Sequence, residues 1–141
     1  MTQPAPEVLT TRCSGEREAR LLSAPPMRFE LGAEAERLRG ERQYAAGDRN
    51  ATTFAKIDWF RLTLVALKDG ATFSEADQRG CVALQALEGT VVVRVADQTA
   101  EIGTGELAVI APGQPWVAVA TGASLLLVHL AWPPEPASAT A

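Results

Sequence analysis

The chain is poor in the side chains on which most chemistry depends. It holds one histidine, His129, in 141 residues, so neither a pair of imidazole ligands nor a histidine-to-histidine proton relay can be assembled. Its two cysteines, Cys13 and Cys81, lack Cys-x-x-Cys spacing, which argues against a thiolate metal site and a disulfide framework. There is no block of lysine and arginine. The 13 basic and 17 acidic residues are dispersed and leave a net charge of −4, so no nucleic-acid partner is expected. No apolar run reaches the ~18 residues that a membrane-spanning helix needs. The opening stretch MTQPAPEVLTTRCSGEREAR also lacks a basic start followed by an apolar segment. No membrane partner and a cytoplasmic location are the expectations. Asn50–Thr52 fits a glycosylation acceptor, which in such a chain is read as a chance match. No Gly-x-Ser-x-Gly elbow is present, and a single histidine gives a hydrolase triad little to work with.

What is present reads as one domain. A 47% hydrophobic composition over this length supports a single core of ordinary size. Residues 1–28 are rich in proline, serine and charge without periodicity and are expected to form a mobile arm. Within FELGAEAERLRGER, Leu31, Ala35 and Leu38 fall at helical spacing, which predicts a short amphipathic helix over about 30–42. From Ala51 the period changes. TTFAKI, FRLTLVAL, CVALQAL, TVVVRVA, AEI, LAVIA, WVAVA and SLLLVHLAW are β-prone runs, and KDG, EG, ADQ, GTGE, APGQP and TGA between them carry turn residues. So many short strands without intervening helices would leave open edges in a flat sheet, so closure into a barrel or a two-sheet jelly roll is expected. An immunoglobulin-type sandwich lacks its Cys…Trp…Cys framework here. The domain is placed at 29–133, and the tail 134–141, PEPASATA, is expected to be disordered.

The turn glycines then match a known pattern. The cupin superfamily carries two motifs. The first is a Gly, five residues, His-x-His, three or four residues, Glu, six residues and Gly. The second is a Gly, five residues, Pro-x-Gly-x-x-His, three residues and Asn. Gly70 and Gly89 bracket the first, with Ala76 and Gln78 at the histidine pair and Val82 at the glutamate. Gly105 and Gly113 fit the second, with Ala111 at the proline, Trp116 at the histidine and Ala120 at the asparagine. The phrases LQALEG, GELAVIAPGQPW and LLLVHLAWP also look like small single-domain cupins, and the segment from Glu41 to Ala71 looks like the lead-in of a bacterial subset. The chain thus resembles a small RmlC-like cupin of the kind lacking the metal-binding His and Glu residues. The resemblance implies a double-stranded β-helix, that is, an all-β jelly-roll barrel with a short N-terminal helix. It also implies a homodimer covering a broad apolar outer sheet.

Cupins that do chemistry hold Fe, Mn, Ni or Zn through imidazoles and a carboxylate. Here those positions carry a methyl, an amide, an isopropyl group and an indole, and indole has an N–H to donate but no lone pair for a metal. No metal and no cofactor are expected. The expected function is non-catalytic binding of a small molecule in the barrel, as a sensor or carrier, with Val82, Leu84, Trp116 and Gln78 as candidate pocket residues. A structural module acting as a homodimer with a filled pocket is the second reading. The third is an enzyme with an atypical metal or acid/base site built from Glu75, Asp77 and His129, which a four-residue gap in the first motif would allow. By strand alternation Cys81 and Gln85 point away from the face that Val82 lines. Trp59, Phe60 and Trp132 are read as core or rim packing.

Overall fold

Short apolar runs punctuated by turn residues dictate strands. The computed structural model, which describes residues 25–75 and 79–133, contains seven of them behind two short helices. The expected arm and tail, apart from residues 25–28, lie outside the described residues, as do Ala76, Asp77 and Gln78. The helix expected over about 30–42 is α1 (Leu31–Arg39), and a second short helix, α2 (Arg42–Ala46), follows it. The break falls at Gly40, a poor helix former whose N–H closes α1 on the carbonyls of Glu36 and Arg37. Glu30 caps the other end, accepting from the Ala33 N–H at 3.3 Å.

The strands are β1 (Arg49–Ile57), β2 (Phe60–Leu67), β3 (Thr72–Phe73), β4 (Cys81–Val95), β5 (Gln98–Gly103), β6 (Leu107–Ile110) and β7 (Trp116–Ala131). Two pairs of expected strands are therefore continuous: CVALQAL joins TVVVRVA in β4, and WVAVA joins SLLLVHLAW in β7. EG and TGA bend these strands instead of ending them. The β4–β7 ladder slips between Ala86 and Glu88 and again between Glu88 and Thr90, and Gly89 and Gly122 sit at φ values of 81° and 79°. A Cβ on Gly89 would lie 2.5 Å from both the Ala123 carbonyl oxygen and the Ser124 hydroxyl, so only glycine lets the two strands approach this closely. The short β3 has no counterpart among the expected strands, because its partner β7 lies far off in sequence.

Bending one antiparallel pair at its middle makes two layers. The C-terminal half of β7 and the N-terminal half of β4 lie between β2 and β6, with β1 outside β2. The other halves lie between β3 and β5. The result is an all-β jelly roll with the core between its layers. Val65, Leu67, Val82, Leu84, Val91, Val93, Leu126 and Val128 fill that core. On the opposite face of the first layer, Leu64, Ala66, Leu125 and Leu127 pack under Ala35 and Leu38 of α1. The consecutive buried runs Thr63–Leu67 and Ser124–Val128 follow directly, since strands covered on both faces can be apolar at every position.

Candidate functional site

Because β4 and β7 fold back on themselves, their two ends meet at the mouth of the barrel. Val82 pairs with Leu130 and Ile110 on one layer, while Trp116 pairs with Val95 on the other. Val82 is 2% exposed and Trp116 5%, both within the same core, and the Phe73 ring lies 6.0 Å from the Trp116 indole. Leu84 is fully buried one pleat deeper. Of the four positions where the resemblance would put metal ligands, the two described ones carry an isopropyl group and an indole packed into apolar surroundings. Neither of these two side chains offers a lone pair to a divalent ion.

Glu75, Asp77 and His129 do not form a site among the described residues. Asp77 lies outside them. Glu75 is engaged at 2.8 Å by Arg61, which shares the inward parity of Val65 and Leu67. His129 stands on the other side of the sheet, in register with Leu62 and Ala83, and burial pushes its imidazole below the ordinary value of 6.5. The described residues contain no group of three His, Cys, Asp or Glu side chains able to hold an ion. Cys81 and Gln85 share the outer parity of His129. Cys81 is a free thiol.

Polar chemistry does exist at the mouth, and it brings in Arg61 and Trp132, which lie outside the candidate set drawn from sequence. The Arg61 guanidinium lies 5.2 Å from the centre of the Trp132 ring, with its other side on Glu75. Trp132 immediately follows β7 and packs against the same core as Trp116. The indole N–H groups of Trp116 and Trp132 are both buried and have no acceptor among the described residues. The sequence does carry a signal for Arg61: a cation at an inward-facing position of an otherwise apolar run.

Beside the mouth, a cleft of about 480 Å³ runs between the β4–β5 hairpin and β6, lined by Val93, Val95, Ala108, Ile110 and the polar hairpin residues around Asp97. Val82, Leu84 and Trp116 do not line it. They fill the core behind, although Val95 and Ile110 are the cross-strand partners of Trp116 and Val82. On the outer face, beyond the reach of α1, Leu107 and Val109 are 55% and 65% exposed. Trp59 is 50% exposed, so it is a rim residue and no part of the core.

No protein-family model matches the chain, and no curated protein matches it. Solved structures do. The TT1209 protein of Thermus thermophilus is 25% identical, with a TM-score of 0.60 over 76% of this chain and 98% of that one. A cupin superfamily protein of Desulfitobacterium hafniense is 18% identical, with a TM-score of 0.57 over 60% and 78%. A salicylate 1,2-dioxygenase of Pseudaminobacter salicylatoxidans is 16% identical, with a TM-score of 0.61 over 74% of this chain and 34% of that one.

Proposed function

We propose, from the premise that this chain has the cupin fold, that it is a non-catalytic, metal-independent binding domain for a small apolar or mixed molecule, acting as a sensor or carrier. The observation that carries the reading is the mouth itself. Val82 and Trp116 stand where ion ligands would be needed, and a cleft of about 480 Å³ opens beside them on the same apolar core. The fold does not choose among functions, since a dioxygenase shares it. An acid/base enzyme of this fold would need a histidine at the mouth, and His129 faces the other way.

Elemental analysis of protein purified without chelator, before and after soaking in Mn²⁺, Fe²⁺, Ni²⁺ and Zn²⁺, tests the metal-independent part. Less than about a tenth of an equivalent is expected from a site so short of donors. A thermal-shift screen of small apolar and mixed molecules tests the binding part, with a rise in melting midpoint expected for a molecule that occupies the cleft. Stoichiometric metal, or a screen without a single shift, would sink the reading.

Homodimerisation through the outer face of the first layer belongs to the same proposal. The row Leu62, His129, Ala83 and Val109 runs across four strands without a formal charge at neutral pH, and exposed Leu107 flanks it. The cytoplasm is the proposed location. No helix among the described residues is long and apolar enough to cross a membrane.

A further inference from the structure

Buried hydrogen-bond donors in folded proteins almost always have partners, and an exception calls for an explanation at its site. Here there are two exceptions, and the fold puts them at one end of the barrel. Trp116 opens β7 and Trp132 follows its last residue. Since β7 bends at Gly122, these positions face each other across the layers, packed on one core with Val82 and Leu130. Neither indole N–H has an acceptor among the described residues.

We propose that the barrel mouth is built for a small carboxylate on a flat apolar body, its oxygens accepting from the indole N–H groups of Trp116 and Trp132 beside the Arg61 cation. This rests on the ligand-binding reading above and names the class of ligand. An indole can only donate, so its missing partner is an acceptor, and two such donors at one end of the barrel, beside a guanidinium that Glu75 occupies only in part, favour an anionic one. The Arg61 guanidinium, three-quarters buried in its side chain and held over Trp132, has more N–H groups than Glu75 uses. A carboxylate takes up to four hydrogen bonds and matches the guanidinium fork. The apolar body would lie toward the cleft beside the mouth, which Arg61, Trp116 and Trp132 do not line but whose Val95 and Ile110 are the cross-strand neighbours of Trp116 and Val82.

The test uses the full chain with ¹⁵N-labelled tryptophan, titrated with benzoate, phenylacetate, benzylamine and toluene. The chain has three tryptophans, so three indole N–H signals are read at once. Benzoate or phenylacetate is expected to move the Trp116 and Trp132 signals downfield while that of exposed Trp59 stays in place. Trp116→Phe, Trp132→Phe and Arg61→Gln are each expected to weaken carboxylate binding by about tenfold or more, the usual effect of losing a hydrogen bond to a charged group. The wild-type titration stands even if a variant fails to fold. Toluene binding as tightly as the acids, with the indole signals unmoved, overturns the carboxylate site and leaves the ligand reading intact. Benzylamine binding in preference to the acids does the same. Binding of none of the four, together with a screen of apolar and mixed molecules that shifts nothing, overturns both.

Discussion

At the scale of single residues, backbone geometry and burial make two positions informative. Ala96 turns the β4–β5 hairpin at φ 57°, a left-handed conformation that glycine and asparagine adopt more easily than alanine. Ala96→Gly should therefore stabilise the chain by about 1 kcal/mol, read as a higher urea midpoint with an unchanged slope. A lower midpoint would show that the turn is not strained. His129 makes the second case. Burial lowers its folded-state value below the ordinary 6.5, and its cross-strand neighbours Leu62 and Ala83 carry no charge. Between the lowered value and 6.5 the unfolded chain binds the proton more readily, so stability rises with pH through that window. The stabilising contribution is complete above 6.5 and declines as pH falls towards the folded-state value. Comparing urea midpoints at neutral and mildly acidic pH should show a smaller drop for His129→Gln than for the wild type. An identical drop in both would remove His129 as its source.

At the scale of elements, one buried amide adds to the apolar packing of Ala35 and Leu38 in holding the helical cap on the first layer. The Asn50 side chain donates to the Leu38 carbonyl at 3.0 Å and to a Glu41 oxygen at 2.9 Å, tying the C-terminal end of α1 and the start of α2 to β1. That bond is the main reason the Glu41 carboxyl lies below its ordinary range, with Arg37 adding to it and burial opposing. It also gives Asn50 a role unrelated to the glycosylation pattern it happens to fit. Asn50→Ala removes two side-chain hydrogen bonds and leaves the buried Leu38 carbonyl only the Glu41 N–H at 3.3 Å, and should cost about 1–2 kcal/mol. Amide exchange faster than wild type through α1, with the barrel strands little changed, would locate the loss in the cap. A uniform rise in exchange throughout the domain would contradict this. Arg37 bridges Glu34 and Glu41 on the solvent side, and removing it should matter far less, because exposed pairs contribute little.

At the scale of the whole molecule, the outer face of the first layer is covered only in part. Leu64, Ala66, Leu125 and Leu127 are roofed by α1, while Leu107 and Val109 stand in the open. The proposed dimer would cover them. Sedimentation equilibrium should find a dimer for the wild type and a monomer with an unshifted circular-dichroism spectrum for Val109→Glu, since a charge in an apolar interface is left unpaired. A wild-type monomer at tens of micromolar, or a Val109→Glu variant that remains dimeric, would remove this face as the interface.

The sequence by itself determined the class of fold, the parity of the start of β4 and the side-chain chemistry at Val82 and Trp116. Alternation placed Cys81 and Gln85 opposite Val82, and the identities at Val82 and Trp116 already lacked the lone pairs a metal requires. Those properties are local or periodic, so they survive without coordinates. Only the tertiary structure decided that EG and TGA bend continuous strands, because that depends on how closely Gly89 and Ser124 approach across two strands. It alone separated His129 from Glu75, brought Arg61 onto Trp132 and left two indole donors at one mouth. Each of these is a contact between residues far apart in the chain, set by the fold-back of β4 and β7, and no spacing along a single strand records it.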